Sequence, residues 1–157
     1  MNEWDKIWKR RSMDIEITDD VFDMFCKLKC ADGFDTQNVE GYYEAFYQEW
    51  NEMYKKMIKF TKNISSVYEV GCGSGVNLYL FQQQKNIERL GGCDYSDTLI
   101  NMAHKVLHIK DLKCQEADKI LTEPKYDVVL ADSVFQYFQD TESVSYTHLT
   151  LPTKLEV

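Results

Sequence analysis

The sequence predicts an α/β fold: a doubly wound parallel sheet layered with helices and preceded by an N-terminal helical cap. After Asn63, short apolar runs alternate with stretches of helical period, which is the sequence sign of successive βα units. The first of those runs, Val67-Tyr68-Glu69-Val70, passes directly into Gly71-Cys72-Gly73-Ser74-Gly75, a turn of the kind that opens a helix beneath a ligand. The size agrees: 157 residues, 44% hydrophobic and 28% charged, describe one ordinary globular domain with enough chain to build a core unaided.

Residues 1–62 read as the helical cap. Thr18-Asp19-Asp20 supplies N-cap oxygens and an acidic first turn, and Val21, Phe22, Phe25, Cys26 and Leu28 then recur at helical spacing to about Cys30. Ala31-Asp32-Gly33 breaks that helix. A second runs from about Tyr42 to Phe60, with Phe46, Trp50, Met53 and Met57 as its core stripe and Glu44, Glu49, Glu52, Lys55 and Lys56 on its wet face. Tyr42, Tyr43, Tyr47 and Trp50 make this stretch rich in aromatics. Trp50 and Phe46 read as core, and Tyr43 and Tyr47 as the better candidates for ligand contact.

Residues 63–142 carry the sheet. Ser66 to Val70 predicts a first strand, Asn77 to Gln84 a helix, and Leu90 to Asp94 a second strand. Ser96 caps a helix from Asp97 to about His108, with Leu99, Ala103, Val106 and Leu107 on one face. Leu112 to Ala117 predicts a third strand, and Tyr126 to Ala131 a fourth behind the Pro124-Lys125 turn. The alternation then stops. Residues 143–157, SVSYTHLTLPTKLEV, lack helical periodicity and resemble translated sequencing adapter, so this stretch reads as non-native and the sheet as truncated after about its fourth strand.

Charge and cysteine usage exclude several partner classes. Eighteen Lys and Arg against 26 Asp and Glu leave a net charge of -8, the wrong sign for a nucleic-acid backbone or an anionic membrane surface. No apolar stretch approaches a membrane span or a signal-peptide core, so the expected compartment is the cytoplasm. Cys26, Cys30, Cys72, Cys93 and Cys114 are odd in number and irregularly spaced, as free thiols in a reducing compartment are. Cys26 and Cys30 begin a CxxxC pair, but Gly33 stands where an iron-sulfur motif needs its third cysteine. His104 and His108 lie one helical turn apart without the glutamate of a zinc-binding HExxH, so they read as a wet helix face and no metal is expected.

The chemistry concentrates at the glycine turn. Glycines there admit positive φ and let backbone approach a ligand, while the helix that follows offers free N–H groups to an anion. The dinucleotide fingerprint would place glycine at position 76, where Val76 stands; what remains is Glu-x-Gly-x-Gly-x-Gly from Glu69 to Gly75. Asp94 ends the second strand, where a carboxylate can accept from two adjacent ribose hydroxyls.

This spacing closely resembles motif I of the class I S-adenosylmethionine-dependent methyltransferases. Gly92-Cys93-Asp94-Tyr95-Ser96, Glu116-Ala117-Asp118 and Tyr126-Asp127-Val128-Val129-Leu130-Ala131-Asp132-Ser133-Val134-Phe135 extend the resemblance in the family's order, from about Ser65 to Gln139. It implies a Rossmann-like class I methyltransferase fold, whose full sheet runs 3-2-1-4-5-7-6, and S-adenosylmethionine as cofactor. It implies a cofactor site of Glu69, Gly71, Cys72, Gly73, Gly75, Asp94, Tyr95, Glu116, Ala117, Asp118 and Asp132, with either Glu116 or Asp118 on adenine. Trp4-Asp5-Lys6-Ile7-Trp8 and Gly33-Phe34-Asp35-Thr36 also look like N-terminal parts of small-molecule methyltransferases found beside bacterial surface-polysaccharide genes.

The function implied is methyl transfer to a small molecule, a sugar or sugar nucleotide being the acceptor class, with no nucleic-acid or membrane partner. The sulfonium is already an activated donor, so no obligatory catalytic side chain is expected; Asp132 and Tyr137 are the candidates for a general base. The alternatives are a nicotinamide-dependent reductase, opposed by Val76, and a non-catalytic cofactor-binding module, since the chain as given supplies only the cofactor half of the family fold. On that reading the 157-residue chain exposes the edge of its fourth strand and turns over poorly.

Overall fold

A computed structural model describes residues 14–34, 40–61, 63–117 and 125–134. Its elements are α1 (Val21–Ala31), α2 (Tyr42–Phe60), β1 (Ser66–Val70), α3 (Val76–Gln82), β2 (Arg89–Asp94), α4 (Asp97–Val106), β3 (Asp111–Cys114) and β4 (Val128–Leu130). The strands form one parallel sheet in the order β3-β2-β1-β4, the arrangement expected of the first four strands. β1 therefore lies between β2 and β4, and its burial on both faces is complete from Ser66 to Val70. That follows from a parallel strand covered by helices on either side.

Several boundaries move from their expected places, each for a local reason. α1 is capped by Asp20, whose side chain accepts from the Asp23 N–H at 2.7 Å, while Thr18 only accepts from the Asp20 N–H. α3 begins at Val76 because Gly75, in the left-handed region at φ 85°, ends the turn there. α4 stops at Val106, short of His108, when Leu107 turns extended; Ser96 caps its start by accepting from Leu99 N–H. β3 ends at Cys114, so Glu116 and Ala117 lie in the segment after the strand. β4 is confined to Val128–Leu130 because Asp127 is diverted to β1: its Oδ2 accepts from the backbone N–H and the hydroxyl of both Ser65 and Ser66.

The main core lies between the helices and the sheet. Met24, Phe25 and Leu28 of α1, Trp50 of α2, Val67 of β1, Leu78 and Phe81 of α3 and Ala103 of α4 meet there, with Phe46, Met53 and Met57 packed at its margin. The stripe expected on α2 is therefore its packing face, and Trp50 crosses Phe81 edge-on at 5.2 Å. Tyr47 sets its ring against Phe22 and Phe25, and the Tyr43 hydroxyl donates to the Phe34 carbonyl. Both tyrosines thus join the N-terminal helices to one another. All five cysteines are free thiols, and His104 of α4 and His108 beyond its end are both exposed. Among the described residues no acid, cysteine and histidine cluster could hold a metal ion, and no helix is long and apolar enough to cross a membrane.

Candidate functional site

The carboxyl ends of β1 and β2 converge on the glycine turn. Gly71, Gly73 and Gly75 all have positive φ, at 71°, 54° and 85°, a region that side chains disfavour. The N–H groups of Gly71 and Cys72 both donate to the Cys93 carbonyl, pinning the turn to the end of β2. Space demands glycine as well: a Cβ at Gly71 would stand 2.4 Å from Val134 Cγ2, and one at Gly75 would stand 2.5 Å from Leu107 Cδ1. The outer two glycines therefore serve protein packing. At Gly73 the neighbour is polar, since a Cβ there would meet Asp32 Oδ1 at 2.7 Å.

Asp94 braces the same turn. Its Oδ2 accepts from the Gly73 N–H at 2.9 Å and its Oδ1 from the Ser96 N–H at 2.8 Å, so one carboxylate ties the turn to the start of α4. Burial pushes its carboxyl above the usual range, opposed by those backbone hydrogen bonds. The residue remains partly exposed, and its carboxylate keeps acceptor capacity for a ligand hydroxyl.

Glu69 lies beneath the turn, 2% exposed. Its Oε1 accepts from Asn77 Nδ2 at 2.7 Å, and the same amide reaches Asp132 Oδ2 at 3.3 Å, linking β1, α3 and the segment after β4. Its Oε2 is buried without a hydrogen-bond donor. Burial, together with the charges of Asp132 and Asp32, holds the Glu69 carboxyl well above its ordinary value, against the Asn77 hydrogen bond and the charge of Lys29. A buried carboxyl group without a full set of partners is expensive, and such groups concentrate where a ligand completes them.

The remaining expected residues fall around this centre. Cys72 is buried among the core side chains and gives the site only backbone. Tyr95 is 45% exposed beside Asp94. Glu116 and Ala117 are partly buried just beyond β3, with Ala117 packed against the small cluster of Tyr68, Val70 and Cys93. Asp132 is exposed and also accepts from the Ser133 hydroxyl. Asp118 and Tyr137, like the stretch 143–157, lie outside the described residues.

Three residues of the site do not come from the expected set. Asn77 is a polar residue buried in an otherwise apolar helix turn, a signal the sequence does carry. Ser74, fully buried, donates through Oγ to the Leu28 carbonyl at 3.1 Å, and its N–H donates to Asp32 Oδ1 at 2.7 Å. Asp32 reaches the turn from the far end of α1, across a separation that no local pattern reports.

Comparison with known proteins agrees with this geometry. Residues 68–148, just over half of the chain, match the family described as "Methyltransferase domain". A malonyl-[acyl-carrier protein] O-methyltransferase of Bacillus anthracis is 24% identical over 113 residues, which cover 62% of this chain and 41% of that protein. The plantazolicin methyltransferase BpumL in complex with SAH superposes with a TM-score of 0.59 at 23% identity, covering 92% of this chain and 54% of the other. The sugar N-methyltransferase KedS8 from Streptoalloteichus sp ATCC 53650 gives 0.54 at 16% identity, covering 85% and 49%. The chain thus spans less than half the length of the curated relative and about half that of the solved structures. With motif order, sheet order and family match in agreement, the chain belongs to the methyltransferase domain family, among the class I S-adenosylmethionine-dependent methyltransferases.

Proposed function

We propose that the glycine turn and the carboxyl ends of β1 and β2 bind S-adenosylmethionine, and that the protein transfers its methyl group to a small-molecule acceptor of the sugar or sugar-nucleotide class. The observation that carries the cofactor reading is the joint between Asp94 and Gly73: an acid at the end of β2 fixes a glycine turn at the end of β1, beside the point where the sheet order reverses toward β4. The residues present fit the group. Asp94 has acceptor capacity for vicinal hydroxyls, and Glu69 Oε2 is a buried acceptor without a donor. Tyr95, Glu116 and Ala117 follow the carboxyl ends of β2 and β3, and on this reading they take the base attached to that ribose. The likeness of fold to KedS8, a sugar N-methyltransferase, supports the acceptor class.

When bound, the sulfonium supplies an already activated methyl group. The chain's own residues then have three tasks: the turn and Asp94 orient the donor, the aromatic side chains of α1 and α2 exclude water, and Asp132 takes a proton if the acceptor is a hydroxyl. Calorimetry with S-adenosylmethionine, its demethylated product and NAD tests the reading: the first two bind and NAD does not. Asp94→Ala weakens that binding by about 1.5 to 3 kcal/mol, the size of a lost charge-assisted hydrogen bond. Unchanged affinity in the variant removes Asp94 from the site, and binding of NAD alone replaces the reading with a dehydrogenase one.

A further inference from the structure

The large apolar side chains exposed among the described residues are Ile17, Phe34, Ile58, Phe60 and Tyr95, and they are not scattered. Phe34 follows the α1 cap that reaches the glycine turn, and Tyr95 follows Asp94. The other three gather at the opposite end of the molecule. α1 ends on the glycine turn, so the segment before it, which holds Ile17, approaches from the far side; there Asp14 Oδ1 lies 3.7 Å from Lys105 Nζ, in the last turn of α4. α4 has by that point run back from the end of β2 toward the start of β3. α2 begins beside Phe34 and descends to Tyr54, whose hydroxyl donates to Asn86 Oδ1, while Asn86 Nδ2 donates to the Ile64 carbonyl. Asn86 and Ile64 precede β2 and β1, so Ile58 and Phe60, beyond Tyr54, also lie at the amino ends of the strands.

Phe60 is 80% exposed and Ile17 63%, and large apolar groups collected at one end of a molecule mark a contact surface. Each has neighbours of one charge. Lys56, Lys59 and Phe60 share a helix face at spacings of three and four, and Ile17 stands between Glu16 and Asp19. These four charged residues are all exposed, and among the described residues no ion pair engages them, whereas Lys55 is taken by Glu52 and Asp14 by Lys105. One end of the molecule therefore carries a basic apolar patch and an acidic apolar patch side by side.

We propose that this end is the interface of a two-fold homodimer, in which Phe60, Ile58, Lys56 and Lys59 of one copy meet Ile17, Glu16 and Asp19 of the other. A two-fold axis between two complementary patches makes the same contact twice and closes the assembly. The apolar residues supply the burial, and the charges fix which patch meets which. An acidic partner protein or an anionic membrane would suit the lysines but leave Ile17 unused and be repelled by Glu16 and Asp19. A second copy uses both patches. The arrangement points the glycine turns of the two copies away from each other, and it does not depend on what binds there.

Sedimentation velocity on the full chain tests this, from about 1 to about 200 μM at low and high salt. A monomer–dimer equilibrium is expected, weakened by salt, and Phe60→Ser should shift it toward monomer. Two charge-reversed variants decide the pairing. Lys56→Glu with Lys59→Glu makes both patches acidic, and Glu16→Lys with Asp19→Lys makes both basic, so each variant alone should dimerise roughly tenfold or more weakly than the parent. Mixed in equal amounts, they should form a heterodimer at least as tight as the parent dimer, because both contacts are again between opposite charges; a pair of misfolded variants would not do so. A parent that stays monomeric, a mixture that stays dissociated, or oligomers that keep growing with concentration would each overturn the proposal. The same holds for a monomer that binds phosphatidylglycerol vesicles through Lys56 and Lys59, which would give the basic patch to a membrane.

Discussion

Replacing Asp32 by asparagine removes one titration from the folded protein and leaves the shape of the joint intact, which isolates what burial of this carboxyl costs. Burial pushes it from 3.8 up to about 7, against the pull of the Ser74 hydrogen bonds and of Lys29. Between those two values the unfolded chain has released a proton that the folded chain still holds. The unfolded state thus binds fewer protons, and stability falls as pH rises through that window. Each unit of displacement is worth about 1.4 kcal/mol, so the full penalty, reached above pH 7, is about 2 to 4 kcal/mol once the side chain's partial exposure is allowed for. For a chain of this length that is a difference of roughly 6 to 12 °C in midpoint. Thermal unfolding followed by circular dichroism from pH 4 to 8 should give parent and Asp32→Asn curves that coincide at the acid end and part as pH rises, the variant becoming the more stable. Glu69, raised in the same direction, lowers both curves, and the variant's less because the Asp32 charge is gone, which widens the gap. A gap that is constant across pH, or a variant less stable at pH 8, would show that Asp32 is not held protonated in the fold and that its charge has no cost to recover.

Gly73→Val places a branched side chain at φ 54°, with its Cβ against Asp32 Oδ1, and should cost about 1 to 3 kcal/mol of stability while abolishing cofactor binding; parent-like calorimetry with S-adenosylhomocysteine would mean the turn can shift without consequence. Asp127→Ala removes the acceptor shared by Ser65 and Ser66 and, because the side chain is exposed, should cost only about 1 kcal/mol at pH 7. The Ser65 and Ser66 hydrogen bonds hold that carboxyl below its ordinary 3.8, so the contribution is present above that value and is lost as pH falls through the lowered one. Urea unfolding at pH 7 and near pH 2.5 should therefore show the gap closing in acid, and a gap that persists there would assign the effect to packing.

What the sequence made legible is what short range decides. β1 appears at its expected bounds because a short β-branched and aromatic run before three alternating glycines admits few other structures, and α2 does because its stripe of Phe46, Trp50, Met53 and Met57 has only one helical face to occupy. The ends of β3 and β4 were less legible because edge strands are cut where side chains compete with the ladder. At β4 the competitor is Asp127, which Ser65 and Ser66 hold to the start of β1. Nothing near Asp127 in sequence announces that choice.

The site divides in the same way, and the division bears on how it works. Glu69, the glycines and Asp94 lie on the strand ends that any βα unit brings together, so their spacing alone nominated them. Asp32 belongs to no such unit. Read locally it is a helix stop before Gly33, and that reading is correct as far as it goes, since its backbone N–H does close α1 on Leu28 and Cys30. Its carboxylate does something else: it reaches a turn forty-two residues further along the chain, and its charge helps to raise the pKa of a buried glutamate one of whose oxygens has no donor. A residue with a sufficient local reason to be present hides its distant one, and only burial and hydrogen-bond bookkeeping separate the two. The physical consequence is that the helices before β1 cannot be removed without changing the electrostatics at the end of β1. On the proposed cofactor site, ligand binding should slow hydrogen exchange at the end of α1, which the Ser74 hydrogen bonds join to the turn, as well as at the turn itself.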